Sequence, residues 1–234
     1  MLYAIAHFLR DKLPWIWDMI DLLNSWLFGL RFDKKLGHVQ PQVLEKYSKE
    51  CGMRIVPMRE VDSDALVAFF AAQPEEAFTF FKPHGFDAKA LRKLQRNKSF
   101  LGYVLIDASS KGLISSKSLK GGFSNPFNPS NSSNPSTPLK SFNTPAIAGY
   151  CFIRSFFMGK GFRGRMVGIS HRGRGLGTLM NRMMNEVGFG IGLRLFETVS
   201  KRNVASYRSA MSASNVKVLE EMEDDELYLE ILKD

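Results

Sequence analysis

Residues 166–177, MVGISHRGRGLG, constrain the fold of this chain more than any other stretch. A short β-branched run ends there in a turn packed with Arg and Gly, and an amphipathic helix follows at once. Leu176, Leu179, Met180, Met183 and Val187 recur at i, i+3, i+4, i+7 and i+11, the ladder of one helix face. A strand that feeds a Gly-rich turn at a helix N-terminus aims several backbone N–H groups at one spot. The helix dipole adds positive potential there, so the turn suits an anion. Gly173, Gly175 and Gly177 remove Cβ atoms that would hold a phosphate off, while Arg172 and Arg174 supply charge-assisted contacts. The competing reading is a tight turn and nothing more. Two other phosphate loops are excluded. There is no Gly-x-x-x-x-Gly-Lys-Ser/Thr run, and the Gly-x-Gly-x-Gly spacing late in the chain is not the dinucleotide fingerprint of a first βαβ unit.

At these residues the chain resembles the GCN5-related N-acetyltransferase (GNAT) superfamily, whose central motif reads Val-x-Pro-x-x-Arg-Gly-x-Gly-x-Gly. Val167, Ile169 (in place of Pro), Arg172, Gly173, Gly175 and Gly177 fall on it in register. The resemblance implies an α/β (α+β) fold with a central mixed, mostly antiparallel twisted sheet flanked by helices. It implies acetyl-CoA as cosubstrate, its pyrophosphate on the N–H groups of the turn and its pantetheine arm alongside the preceding strand. The cofactor-binding residues it points to are Val167, Gly168, Ile169, Arg172, Gly173, Arg174, Gly175, Leu176, Gly177 and Thr178.

The rest of the chain tests the resemblance. A strand over 54–59 precedes a helix over 62–72, and a second short helix is expected over 87–96. Strands are expected over 99–107, 146–157 and 162–169, the last two joined by a Gly-Lys-Gly turn. After the amphipathic helix come a strand over 193–200, a helix from about Asn203, and a closing hairpin of 216–221 with 226–232. This is the order of the GNAT family. Val199-Ser200, Asn203 and Ser206 also match its weaker second motif, in which the Asn contacts pantetheine; Asn203 serves equally as a helix N-cap.

Departures concern catalysis. The family's acid, a Tyr about seven residues after that Asn, falls on Ala210; Tyr207 lies three residues earlier and is the candidate acid, with a packing role as the alternative. The usual Gly-Phe after this helix is replaced by 212–215. Amine acylation needs a proton acceptor as the tetrahedral centre forms. His84, within Phe80-Phe81-Lys82-Pro83-His84-Gly85-Phe86 on the acceptor side, is the candidate; a turn residue held by Pro83 and Gly85 is the alternative. The oxyanion would lie on a main-chain N–H of Val167 or Gly168.

Composition narrows the rest. Two cysteines, Cys51 and Cys151, argue against a disulfide framework, and with four scattered His no metal is expected. The formal net charge of +9 is densest at Arg163, Arg165, His171, Arg172 and Arg174, beside the anion turn, so no nucleic-acid partner is expected. The expected division is an N-terminal amphipathic helical extension over 1–50 and a GNAT domain over 51–234. A Ser-, Asn- and Pro-rich flexible insertion interrupts the domain at about 109–145. In the extension, Pro14 opens a helix whose face is Ile16, Ile20, Leu23, Leu27 and Leu30, with Asp18, Asp21 and Ser25 opposite. Arg10, Asp11 and Lys12 break the apolar run, against a membrane span, and no cleavable signal is seen. Two readings stand: residues 1–32 lie on a membrane surface, or they pack on the domain or on a second subunit as a homodimer.

The function implied is acetyl transfer to the primary amine of a small molecule, such as an amino sugar in surface-polysaccharide synthesis, by direct attack in a ternary complex. The setting is cytoplasmic, with peripheral attachment to the inner membrane face as the variant. The alternatives are a longer-chain N-acyltransferase at the membrane surface and an inactive CoA-binding module.

Overall fold

The first described element of the computed structural model, which describes residues 14–107 and 146–233, is one long helix, α1 (Pro14–Cys51). Its 38 residues span about 57 Å. Pro14 stands in its first turn, where a missing N–H costs nothing. The remaining order is β1 (Arg54–Pro57), α2 (Ser63–Ala71), α3 (Ala88–Arg96), β2 (Phe100–Asp107), β3 (Ala146–Ser155), β4 (Lys160–Val167), α4 (Leu176–Ile191), β5 (Arg194–Ser200), α5 (Val204–Ala213), β6 (Val216–Glu221) and β7 (Glu226–Ile231). Every element expected from sequence between 54 and 232 is present. The expected insertion at 109–145 lies outside the described residues, as does the start of the extension.

Local chemistry sets these boundaries. Asp62 accepts from the Asp64 N–H to cap α2, and Asp87 accepts from the Lys89 and Ala90 N–H groups to cap α3. Gly192, at φ +93°, ends α4 in the left-handed conformation. The seven strands form one sheet in the order β1-β2-β3-β4-β5-β7-β6, antiparallel throughout except for β4 with β5.

Both faces of the sheet are covered. Leu101, Tyr103 and Leu105 of β2 face α1 and α4, whose Met180, Met183, Met184 and Val187 are fully buried. Val104 and Ile106 of the same strand face α2 and α3 through Leu66, Phe69, Phe70 and Leu91. The period of two along β2 thus feeds two cores.

The helix α1 docks by the face opposite to the one marked by Ile20, Leu23 and Leu30. Phe28, Phe32, Leu36, Val43, Leu44 and Tyr47 enter the core, with Asn24 and Ser25 buried beside them, while Ile20, Leu23 and Leu30 are exposed. Hydrogen bonding adds to this apolar packing. Asn24 Nδ2 donates to Ser99 Oγ (2.9 Å) and Ser155 O (3.0 Å), and its Oδ1 accepts from the Phe157 N–H (2.9 Å). Ser25 Oγ accepts from the Lys98 N–H at 2.8 Å. These side chains satisfy main-chain groups at the ends of β2 and β3 that the helix would otherwise bury unpaired.

Candidate active site at the β4–β5 fork

Strands β4 and β5 pair only at Lys160–Arg194, Gly161–Leu195 and Phe162–Phe196, and then separate. The main chain of β4 beyond that point has two sides. The Gly168 N–H donates to Ala148 O (2.9 Å) and the Phe156 N–H to Lys160 O (2.8 Å). In this antiparallel register, Gly164 and Met166 direct their polar groups to β3. Arg163, Arg165 and Val167 therefore direct theirs towards β5, where no strand pairs with them. The opening is a cleft of about 820 Å³.

The floor of the cleft is the Arg-Gly turn. Gly173 and Gly175 adopt φ +77° and +75°, the left-handed region where a side chain is strained. A Cβ added at either would meet no protein atom within 4 Å, so both glycines open onto free space. Gly175 is the N-cap of α4 and supplies no side-chain cap, and no acidic residue stands in the first turn. The first N–H groups of α4 and its positive dipole end therefore face the cleft uncompensated by the helix itself.

Of the residues expected to hold the cofactor, Val167, Arg172, Gly173, Gly175, Leu176, Gly177, Thr178 and Asn203 line this cleft. Asn203 also caps α5, its side chain accepting from the Ser206 N–H at 3.2 Å. Gly168, Ile169 and Arg174 do not line it. Of the two main-chain donors expected for the oxyanion, the Gly168 N–H is spent on Ala148 O, whereas Val167 lines the cleft. The Ile169 N–H donates to Gln73 Oε1 at 3.1 Å.

Nor are Arg163 and Arg165 free to clamp an anion. Glu197 of β5 bonds both, Oε2 to Arg163 Nε (2.7 Å) and Oε1 to Arg165 Nη1 (2.6 Å), and all three are largely buried. Burial alone would push the Glu197 carboxyl up, but the two guanidinium groups outweigh it and hold it below the usual carboxylate range. His171, which lines the cleft, donates from Nε2 to Asp107 Oδ2 (3.1 Å) and receives the Ser170 hydroxyl at Nδ1 (2.9 Å).

Neither expected catalytic side chain reaches the cleft. Tyr207 is half-buried against the core on the α4 side of the sheet, because its place on α5 points inward rather than at the fork. His84 is enclosed by Phe70, Phe86, Phe100 and Phe152. Its Nδ1–H donates to Gly85 O (2.9 Å) and the Tyr150 hydroxyl donates to Nε2 (2.9 Å), so no ring nitrogen is left for a substrate. Burial pushes its imidazole below the usual value and keeps it neutral. The unfolded chain then binds a proton that the folded one refuses. The His84 contribution is present above about pH 6.5 and lost as pH falls below it. Calorimetric melting of the wild type should drop between about pH 7 and pH 5.5, and His84→Gln should flatten that slope. An equal slope in the variant contradicts the assignment.

Sequence reasoning missed Glu76, Arg202, Arg208, Ser209 and Ser212, all of which line the cleft together with Ser206 of the second motif. Phe80 and Phe81 line it as well, at the end of the acceptor-side segment where His84 was expected. The serines recur every three residues along α5, a legible polar stripe. Glu76 gives no such signal, since it reaches the fork only through the turn between α2 and α3.

Comparison with solved structures decides the architecture. The crystal structure of the GNAT domain of S. lividans PAT superposes with a TM-score of 0.53 at 14% identity, over 76% of this chain and 89% of its own. This chain has the GNAT fold. Two further acetyltransferase structures match with lower TM-scores. The N-acetyltransferase PseH from Campylobacter jejuni has a TM-score of 0.45 at 13% identity, covering 78% of this chain and 99% of its own. The putative acetyltransferase yncA from Salmonella typhimurium, with its cofactor acetyl-CoA, has 0.48 at 15%, covering 77% and 93%. No protein-family model matches the sequence, and no curated protein does. Within the GNAT fold, the parallel β4–β5 contact and its early end are what create the fork.

Proposed function

We propose that this chain is an acetyl-CoA-dependent N-acetyltransferase acting on the primary amine of a small molecule, an amino sugar being the acceptor class its aromatic mouth suits. The observation that carries the reading is the open β4 edge leading into two left-handed glycines at the uncapped start of α4. That combination offers unpaired strand groups to an amide-bearing arm and helix N–H groups to its pyrophosphate, the two recognition elements of CoA. Arg172 and Arg208, both exposed beside the cleft, add charge for the phosphates.

Glu76, Phe80 and Phe81 form the acceptor side. Among the described residues, Glu76 and Glu197 are the carboxylates lining the cleft, and the oxygens of Glu197 are committed to Arg163 and Arg165. Glu76 is then the group to bind the ammonium and take up its proton, directly or through water, so that the neutral amine attacks the thioester. The carbonyl oxygen would sit on the Val167 N–H. Ser209 Oγ accepts from Asn181 Nδ2 (3.4 Å), which leaves its O–H to stabilise the departing thiolate by a hydrogen bond, the thiolate leaving unprotonated into solvent where Tyr207 was expected to supply a proton. Such a reaction draws on the cytoplasmic CoA pool.

Thiol release from acetyl-CoA over a panel of amines tests the reading: turnover with hexosamines is expected, and CoA binding without turnover on any amine would make the chain a binding module. Competition by long-chain acyl-CoA below the acetyl-CoA KM would favour the longer-chain alternative. Glu76→Gln removes one charge-assisted contact, so kcat/KM for the amine should fall roughly 10- to 100-fold while acetyl-CoA affinity is unchanged.

A further inference from the structure

We infer that the outward face of α1, together with the turn between β3 and β4, is a docking surface for an anionic lipid bilayer. Because α1 buries the face of Asn24, Ser25, Phe28 and Phe32, the other apolar residues of its first half face outward. Trp15, Met19, Leu22, Trp26 and Leu30 follow one another at four-, three-, four- and four-residue steps along a single ridge. Leu22 is 71% exposed, Trp26 59% and Leu30 69%. Ile20 (43% exposed) and Leu23 (54%) lie between this ridge and the β3–β4 turn, where Phe157 and Met158, 74% exposed, continue the apolar surface. Two hydrogen bonds lock this turn to α1, the Phe157 N–H to Asn24 Oδ1 (2.9 Å) and Arg31 Nη1 to Phe157 O (2.8 Å). The patch is thus composite and rigid. Exposed apolar surface of this extent marks an interaction site.

Charge identifies the partner. The acidic residues in the first half of α1 are neutralised by the domain: Asp18 by Lys93, Asp21 by Arg154 (3.4 Å) and Asp33 by Lys98 (2.6 Å). Arg31 donates to the turn at Phe157 O, Lys34 and Lys35 follow Leu30 and Arg31 by one helix turn, and Lys160 closes the β3–β4 turn; none has an ion pair to any described carboxylate. The outward charge of this face is therefore basic. Two copies placed face to face would bring like charges together, whereas anionic headgroups complement them. Exposed Trp beside Lys and Arg is the chemistry of the water–lipid boundary. No described helix is long and apolar enough to cross a membrane, so this contact lies on the surface.

The orientation is compatible with catalysis. Lys160 at the patch and Val167 at the CoA turn stand at opposite ends of β4, about 23 Å apart by strand rise. With the patch on lipid, the anion turn stays in water where CoA is dissolved. The inference does not depend on the acceptor or on turnover.

Full-length protein should float with vesicles of phosphatidylcholine and phosphatidylglycerol but not with phosphatidylcholine alone, and its Trp emission should shift to the blue on binding. Trp26→Glu should weaken binding by at least about tenfold, as should the charge reversal Lys34→Glu/Lys35→Glu, which touches only exposed side chains and keeps the test alive if the first variant misfolds. No flotation of the wild type on anionic vesicles at low salt overturns the proposal. So does a wild-type dimer in light scattering that Trp26→Glu converts to monomer without any vesicle binding. Vesicle binding that appears only after removal of residues 1–13 likewise overturns it, by assigning the face to that segment.

Discussion

Gly175→Val should lose CoA affinity by about 100-fold or more in a protein that remains folded. The cause is conformational before it is steric. Gly175 sits at φ +75°, which a β-branched residue reaches only at a cost of roughly 1–3 kcal/mol. Relief of that strain turns the peptide and withdraws N–H groups at the start of α4. Each hydrogen bond to a charged oxygen contributes about 1.5–3 kcal/mol, so losing two exceeds two decades in the dissociation constant. Because no protein atom lies within 4 Å of a Cβ built at Gly175, the new side chain enters the ligand's space and leaves the core untouched. Calorimetric titration of CoA into the folded variant reads the effect. Affinity equal to wild type would remove the turn from the CoA site.

Glu197→Ala should cost stability on a similar scale, about 3–5 kcal/mol. It strands Arg163 and Arg165 as two buried like charges, and Arg163 Nη2 already has no hydrogen-bond partner. At a few degrees per kcal/mol for a domain of this size, the melting temperature should fall by roughly 6–20 °C. Removing Glu221 from its exposed pair with Lys201 is the comparison, and should shift it by no more than a degree or two. The pH dependence separates this cluster from His84. A carboxyl held below its usual range stabilises the fold above about pH 4.5 and loses that contribution as pH falls through its folded value. His84 acts in the higher window. Equal melting of Glu197→Ala and wild type would show that the triad contributes nothing to stability.

Legibility in the sequence followed distance along the chain. The ladder at Leu176, Leu179, Met180, Met183 and Val187 gave α4 its buried face, and the caps Asp62, Asp87 and Asn203 act within three residues of their partners. The anion turn was legible because glycine spacing and a following helix are adjacent signals. The acceptor side was legible only as a segment. Phe80 and Phe81 line the cleft, but His84, three residues further on, turns into an aromatic cluster with Tyr150. Tyr207 shows the same limit: a helix position fixes its angle on α5, and only the packing of α5 on α4 turns that angle into the core.

By itself, then, the sequence determined the order of strands and helices and the presence of an anion turn before α4. Those properties are set by side-chain periodicity and by backbone conformations that few residues adopt. Tertiary structure decided which face of α1 is buried, which arginines are free and which carboxylate reaches the cleft. Each of those outcomes depends on partners far off in the chain: Asn24 on Ser155, Arg163 on Glu197, and Glu76 on the fork between β4 and β5. Apolar periodicity along α1 left open whether the face of Ile16, Ile20, Leu23, Leu27 and Leu30 meets lipid or protein. The face that is buried joins Phe28, Phe32 and Leu36 to Asn24 and Ser25, and that polar pair satisfies main-chain groups at the ends of β2 and β3 that are costly to bury unpaired.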